Sequence, residues 1–195
     1  MPRLLTALVA SLLLAAPVAG LAQGGARTVF EVDPVHSSVV FKVKHFNVSY
    51  VYGRFNDVTG TFVLDEESPE KSRIEIKVLA QSVDTNNAKR DQHLRGPDFF
   101  DAKQFPAITF TSTQVKRKDP HTFEVKGDLT LHGVTREVTL DVKNTGEGTD
   151  PRGVHRKGAE ILFTIKRTDY DMNYMVGPLS DEVHLMIGIE GVKKG

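Results

Sequence analysis

The sequence predicts an all-β fold, an antiparallel sheet of about eight strands that curls into a barrel or folds into a sandwich. Apolar and polar residues alternate through nearly every strand-length run after residue 27, and a period of two places one set of side chains on one face of a pleated sheet. Strands of buried parallel sheets lack this alternation. A long sheet with one apolar face must cover that face, and closure into a barrel also removes its edges.

Turn residues divide the alternating pattern into nine runs, of which the first is short and could serve only to close a barrel. Asp33-Pro34 and His132-Gly133 are two of these turns. The glycine-rich segment Thr145–Gly153 is predicted to be a flexible hairpin loop. The predicted strands are Thr28–Val32, Ser37–Phe46, Gly53–Leu64, Arg73–Leu79, Ala107–Val115, Phe123–Leu131, Val134–Val142, Ala159–Arg167 and Val183–Gly191.

The phase of the alternation predicts which side chains point inward, because a shift of one residue would turn every one of them outward. Small eight-stranded barrels are either filled by side chains or hold one ligand. The pattern alone fits both a filled and a hollow barrel. The predicted inward residues are Phe41, Val43, Ile74, Ile76, Phe110, Leu129, Leu131, Leu140, Phe163, Ile165, Leu185 and Ile187.

The N-terminus has the features of a secretory signal peptide. Arg3 precedes an apolar run, Leu4–Val18, which is too short for a comfortable membrane span, and Gly20-Leu21-Ala22 supplies small residues for cleavage. We therefore expect residues 1–22 to be removed and residues 23–195 to form a single periplasmic domain. No later stretch is long and apolar, so stable membrane insertion is not expected.

The composition limits the classes of partner and of chemistry. The chain has no cysteine, so an exported domain must rely on its core instead of disulfides. Lys and Arg together number 25, as do Asp and Glu, which gives no electrostatic argument for binding nucleic acid. The seven histidines lack the spacing of a metal site. We expect a monomer or homodimer without metal or cofactor.

Two segments interrupt the strand pattern. The first, Asp84–Pro106, contains good helix formers from Asn87 to Arg95, with Asp84 or Thr85 as the candidate N-cap and Gly96-Pro97 as the stop. The second, Thr168–Asp181, is a long loop with unusually large apolar side chains. Because long loops in compact domains are often functional, we expect the two segments to form the mouth of the barrel.

The interruptions also carry motifs of a known family. The segment Arg90-Asp91-Gln92-His93-Leu94-Arg95-Gly96-Pro97-Asp98-Phe99-Phe100, followed by Phe105-Pro106-Ala107-Ile108-Thr109-Phe110, closely resembles the hallmark segment of the YceI-like family. Asp33-Pro34-Val35-His36-Ser37 and Gly53-Arg54-Phe55 match further motifs in the same order, and the resemblance spans nearly all of the mature chain. Gly96 departs from the pattern, since the family more often has a small hydroxyl residue there.

The resemblance implies a fold and a ligand. The fold is an extended lipocalin-like antiparallel eight-stranded β-barrel with a short helical segment between strands, often periplasmic. The ligand is a polyisoprenoid or similar long-chain amphiphile, such as a polyprenyl lipid or an isoprenoid quinone, which favours a hollow barrel. We expect an exported carrier or sequestering protein. The alternatives are an enzyme that acts on an isoprenoid lipid, with His93 and a neighbouring acid, and a filled barrel that serves as a protein-interaction module.

The apolar side chains of the two interruptions are predicted to contact the chain near the entrance. Phe99, Phe100, Tyr174 and Met175 are the candidates, and methionine suits a pocket that adapts to chains of varied shape. The predicted ligand-binding residues are Phe41, Val43, Phe55, Ile76, Arg90, His93, Leu94, Arg95, Phe99, Phe100, Phe110, Leu129, Phe163, Met172, Tyr174 and Met175.

The basic side chains of the predicted helix have two alternative roles. Arg90, His93 and Arg95 could face a phosphate or quinone oxygen of the headgroup, since arginine binds phosphate in bidentate fashion. Alternatively, Arg90, Asp91 and Arg95 could hydrogen-bond the helix to the rim of the barrel.

Overall fold

A computed structural model describes residues 27–194 and shows a closed antiparallel β-barrel with one short α-helix. The predicted signal peptide, residues 1–22, lies outside the described residues. The strands are β1 Phe30–Val32, β2 Ser38–His45, β3 Ser49–Phe55, β4 Val58–Val63, β5 Arg73–Leu79, β6 Val83–Asp84, β7 Ala107–Arg117, β8 Thr122–Leu131, β9 Val134–Thr149, β10 His155–Lys166 and β11 Leu179–Lys193, and the helix is α1 Ala88–Leu94.

Eleven strand segments make an eight-stranded barrel because three of the barrel's strands are each divided into two segments. β1 and β2 form one such strand, and both pair with β11. β4 and β3 form the next strand, in which β4 pairs with β1 and β3 pairs with β2. β5 and β6 continue this pattern against β4 and β3, and a 3₁₀ turn at Ala80–Ser82 separates them. β7 to β11 then pair in sequence, and the β1–β11 pairing closes the sheet. The predicted eight-stranded barrel is confirmed.

Some strand limits differ from the prediction. The third strand begins at Ser49, ahead of the predicted start at Gly53. Tyr50 and Tyr52 occupy outward positions of this strand, where the alternating pattern calls for polar residues, so the pattern is not visible there. The predicted loop Thr145–Gly153 is largely strand, since β9 and β10 stay paired as far as Thr149 and His155. Backbone pairing needs no apolar face, so this ribbon continues past the end of the apolar pattern.

The closed end of the barrel is filled by large apolar side chains. Phe123 and Val125 are almost completely buried, and the rings of Phe30 and Phe62 stack with centroids 5.3 Å apart. Just beyond them, Lys157 is buried and its Nζ lies 2.8 Å from Oε1 of Glu66. This ion pair holds the β4–β5 loop against β10, and the same carboxyl oxygen accepts from the amide of Asn144.

A network of ion pairs holds β1 to the neighbouring strands on the outside of this end. The guanidinium of Arg156 donates to carboxylates of Asp33, Asp150 and Glu190. The side chains of His36 and Arg156 hold the pKa of Asp33 well below its ordinary value. Asp33, His36 and Glu190 also lie close enough together to suggest a metal site, but the Arg156 guanidinium already occupies the carboxylates, so the group is an ion-pair network.

Candidate functional site

The barrel encloses a cavity of ≈ 460 Å³ that opens at the end opposite the closed one. Ligand cavities in proteins are typically about 300–1,000 Å³. Every residue predicted to point inward lies in its lining. Among residues 27–194, the lining includes no carboxylate. Apart from the phenol of Tyr174, its titratable side chains are those of His45, Arg90, His93 and Arg167. These four residues lie on elements at the open end, so the deep part of the cavity is apolar.

Helix α1 crosses the mouth and is fixed there by polar contacts. Asn87 is its N-cap and accepts from the backbone N–H of Arg90, so the predicted caps, Asp84 and Thr85, are wrong. Thr85 precedes the helix and fixes it in place, because the N–H and the hydroxyl of Thr85 both donate to the buried carboxylate of Asp91 in the helix. The Nε of Arg90 donates to the Thr85 hydroxyl at 2.7 Å. Leu94 packs against the core.

An aromatic cluster connects the two interruptions across the mouth. The rings of His93, Phe99 and Tyr174 contact one another edge-on, with centroids 5.1–5.4 Å apart. Phe100 belongs to the wall instead, since its ring packs on Phe55 and against the core. The two phenylalanines that we grouped from the sequence therefore occupy different places: Phe99 stands at the entrance and Phe100 supports the wall.

The second interruption is held in place by a buried arginine. Arg167 follows β10 directly, and its guanidinium donates to the backbone carbonyls of Met172, Tyr174 and Ser180 at 2.7–3.0 Å. A fourth, longer contact reaches the carbonyl of Leu179 at 3.3 Å. Burial lowers the pKa of Arg167. The loop thus folds around the guanidinium of Arg167. In this conformation Met172, Tyr174 and Met175 line the cavity.

The structure places Arg95 away from the cavity, in contrast to the headgroup role that we considered. Its Nε donates to the carbonyl of Gln81 and its Nη2 to the carbonyl of Val83, both at 2.8 Å. These bonds attach the end of α1 to the turn before β6. The geometry therefore matches the alternative in which this arginine fastens the helix to the barrel.

We expect Arg95→Ala to lower stability without changing headgroup selectivity. Loss of a charged donor that satisfies two backbone carbonyls should cost about 1–3 kcal/mol. Urea unfolding measures that loss, and binding of a prenyl phosphate and the matching prenol measures selectivity. Lys89→Ala, an exposed change on the same helix, is the control. A folded Arg95→Ala protein that loses affinity for the phosphate alone would return Arg95 to the headgroup site.

All other predicted ligand-binding residues lie in the cavity lining. The predicted set does not include three polar residues of the lining at the mouth: His45, Thr85 and Arg167. His45 continues the period-two series of Phe41 and Val43, so its inward position was readable from the sequence. Nothing in the local pattern indicates Arg167, because its partners belong to a loop without periodicity.

The aromatic cluster also contains an acid–base pair. Nε2 of His93 lies 2.8 Å from Oδ2 of Asp98, and both side chains are about half exposed. This is the neighbouring acid that an enzyme hypothesis for His93 requires. Thr85 and Thr109 are the aliphatic hydroxyls of the lining, and the hydroxyl of Thr85 is already engaged by Asp91 and Arg90.

Known proteins resemble this chain in sequence or in fold. Protein YceI of Escherichia coli O157:H7 is 45% identical over 159 residues, which cover 82% of this chain and 83% of that protein. The crystal structure of Burkholderia cenocepacia BcnA has a TM-score of 0.74 at 23% identity and covers 82% of this chain and 98% of its own.

A polyisoprenoid binding domain from Saccharophagus degradans, implicated in plant cell wall breakdown, has a TM-score of 0.66 at 15% identity, covering 85% of this chain and 98% of that one. At such identity the likeness concerns the fold. The family model described as the YceI-like domain matches residues 30–191, almost the whole barrel. Together with the identity to Protein YceI, this match shows that the chain belongs to the YceI-like family.

Proposed function

We propose that this protein is an exported, periplasmic carrier that sequesters a polyisoprenoid or similar long-chain amphiphile in its barrel and needs no cofactor. One observation carries the proposal: the barrel is hollow, its depth is apolar, and polar groups enter the lining only at the open end. That distribution matches a molecule with a long apolar tail and a polar head. The same fold in a polyisoprenoid binding domain supports the assignment.

Burial of the tail supplies the affinity. Apolar surface removed from water contributes roughly 25 cal/mol per Å², so a chain that buries about 300 Å² gains about 7 kcal/mol before the costs of association. Deep in the cavity such a chain meets Ile74, Leu140 and Ile161, which offer no hydrogen bond. Selectivity along the tail therefore depends on shape and length.

The polar end of the cavity favours an electron-rich headgroup. His45, Arg90 and His93 bring donors to the lining, and Arg167 adds a positive charge although its guanidinium already donates to backbone carbonyls. No carboxylate lies among these groups in the lining formed by residues 27–194. The guanidinium of Arg90 is held by the hydroxyl and the carbonyl of Thr85 through Nε and Nη2, which orients it beside the entrance. A phosphate or a quinone oxygen at this place would accept hydrogen bonds from such groups.

Catalysis is the second candidate, because His93 and Asp98 form an acid–base pair at the mouth. The pair lies beside the entrance, half exposed, while a bound tail would lie below it. We propose binding without turnover. Incubation of the bound lipid with wild type and with His93→Gln, followed by mass spectrometry, distinguishes the two functions, since only an enzyme would convert the lipid in a His93-dependent way.

Organic extraction of protein purified from the periplasmic fraction tests the proposal. We expect the extract to contain an isoprenoid lipid. Ala159→Phe should carry less of it, because Ala159 lines the deep cavity and a phenyl ring there occupies space that the tail needs. We expect Ala159→Phe to lose about tenfold in affinity for the lipid, which corresponds to about 1.4 kcal/mol.

The neighbouring change Glu160→Phe is the matched control, since Glu160 is exposed on the outside of the same strand. Folded Ala159→Phe and Glu160→Phe proteins should differ in bound lipid but not in location. An extract without long-chain lipid, together with no binding of added polyprenyl lipid or quinone, would exclude the carrier function.

A further inference from the structure

Large apolar side chains that remain exposed are concentrated at one end of the barrel. Among residues 27–194, those outside this end are Val35, in the turn between β1 and β2, and Leu162, midway along β10. The others lie on the β2–β3 hairpin and on the loop between β10 and β11. We call five of them the mouth rim: Phe46, Val48, Tyr174, Met175 and Val176.

The mouth rim is one continuous surface. The backbone N–H of Phe46, at the tip of the hairpin, donates to the carbonyl of Pro178 in the loop at 2.6 Å. His45 pairs with Leu179, whose N–H donates to the carbonyl of Met175 at 2.9 Å. The hairpin and the loop are thus tied together beside the entrance.

The mouth rim is also continuous with the cavity. Tyr174 and Met175 belong both to the exposed apolar set and to the cavity lining. An apolar path therefore runs from the interior of the barrel to its outer surface without a polar barrier at these two residues. Contiguous exposed apolar surface of this kind marks a site of interaction with a membrane or another protein.

Two residues of the mouth rim are held in a strained backbone conformation. Phe46 and Met175 have φ angles of 48° and 52°, a left-handed conformation that is unfavourable for bulky side chains. Such strain persists only where the surrounding structure enforces it, and it clusters at functional sites. Among the non-glycine residues of positive φ in the range 27–194, Phe46 and Met175 are the apolar ones, and both are exposed in the mouth rim.

The outer face of the hairpin adds residues suited to a membrane interface. Tyr50 and Tyr52 are exposed on β3, and Nζ of Lys42 lies 4.8 Å from the centre of the Tyr50 ring. Tyrosine and lysine combine an apolar body with a polar end, which places them at the level of lipid headgroups. They stand beside the apolar tip that would enter more deeply.

We propose that the mouth rim docks reversibly on the surface of a lipid bilayer and sets the cavity entrance against the acyl chains. This inference rests on the proposed function, because a polyisoprenoid tail resides in a bilayer and would otherwise have to cross water. Among residues 27–194, no helix is long and apolar enough to cross a membrane. The proposed contact is interfacial, with the side chains of the mouth rim among the lipid headgroups and the outer parts of the acyl chains.

The absence of tryptophan from the chain permits a site-specific test. Val48→Trp places one fluorophore in the mouth rim, and Val35→Trp places one at a position of nearly equal exposure, 84% against 81%, away from the mouth. With lipid-free protein and phosphatidylcholine vesicles, we expect a blue shift for Trp at position 48 and quenching by brominated phosphatidylcholine. Trp at position 35 should show neither change.

A pair of double variants tests whether the apolar side chains cause docking. Val48→Ser with Val176→Ser removes rim side chains, and Val35→Ser with Leu162→Ser removes exposed apolar side chains elsewhere. In vesicle flotation the first pair should weaken partitioning by about tenfold or more, and the second should behave as wild type. Transfer of a fluorescent polyprenyl probe from vesicles to protein should slow in parallel.

The outcomes separate this inference from the proposed function. Equal flotation of wild type and the rim variant, or equal quenching at positions 35 and 48, would overturn docking while leaving cavity binding intact. Docking would also be overturned if the rim variant floated with vesicles as wild type does but no longer bound the probe in solution without vesicles. The rim side chains would then act on the cavity and not on the membrane. A cavity that binds no chain would refute the carrier, and the flotation result would still decide whether the rim meets a membrane.

Discussion

Aspartate in place of Val125 should unfold the barrel, whereas aspartate in place of the next residue, Lys126, should leave it folded. Val125 is 0% exposed and lies on β8 between Val115 of β7 and Leu140 of β9. The latter two side chains are also buried and apolar, so a carboxylate there would find no counter-charge among its cross-strand neighbours.

The magnitude of the penalty decides the outcome. Burial of an unpaired ion costs several kcal/mol even after relaxation, while the whole domain is expected to be stable by about 5–15 kcal/mol. A single such charge therefore removes most or all of the stability. Lys126 points outward and pairs with Gln114 and Thr139, which do not repel an acid. The same substitution should cost little there.

Circular dichroism and urea unfolding measure the difference. We expect Val125→Asp to be unfolded or to melt far below wild type, and Lys126→Asp to keep its unfolding midpoint within experimental error. Val125→Ala separates volume from charge, since loss of the two methyl groups should cost only about 1–3 kcal/mol. A stable Val125→Asp protein would mean that the register of β8 is wrong.

The sequence was sufficient for the barrel because period-two alternation is a local signal with a global consequence. Phe41, Ile76 and Phe163 lie on different strands, yet each points into the cavity as its phase predicted. Whether the barrel is hollow could not be predicted in this way. The volume left between facing side chains depends on the diameter and shear of the closed sheet, which a pattern along one strand does not contain.

The site was predictable by segment but not by individual contact. Both interruptions of the strand pattern do meet at the mouth, through His93, Phe99 and Tyr174. The roles of the arginines were not predictable, because Arg95 reaches carbonyls 12 and 14 residues away and the sequence does not encode which way a long side chain turns. Phe99 and Phe100 are adjacent, and only the turn that contains them sends one to the entrance and one to the wall.

Methionine in place of Arg167 should melt the loop at the mouth and weaken ligand retention. Arg167 is 4% exposed, and its guanidinium satisfies backbone carbonyls of Met172, Tyr174, Leu179 and Ser180. An unsatisfied buried acceptor costs about 1–3 kcal/mol. The loop would open to hydrate these carbonyls, at the expense of its packing on the barrel.

Hydrogen exchange is the measurement that identifies this cause. We expect the amides of Met172 and Leu179, which donate to backbone carbonyls in this loop, to lose protection in Arg167→Met while β7 and β8 stay protected, and a bound polyprenyl probe to dissociate faster. Lys166→Met, the adjacent change at an exposed position, is the control and should resemble wild type. Lysine in place of Arg167 should restore protection only in part, because an ammonium group offers three donors without the planar spread of the guanidinium.

The combination of readouts distinguishes a support for the mouth from a direct ligand contact. If Arg167 holds the loop, exchange protection and probe retention fall together, and they do so for neutral and anionic chains alike. Retention that falls only for anionic chains, with the loop still protected, would instead make Arg167 a headgroup ligand. Wild-type protection and retention in Arg167→Met would show that the loop keeps its place through the aromatic cluster of His93, Phe99 and Tyr174 alone.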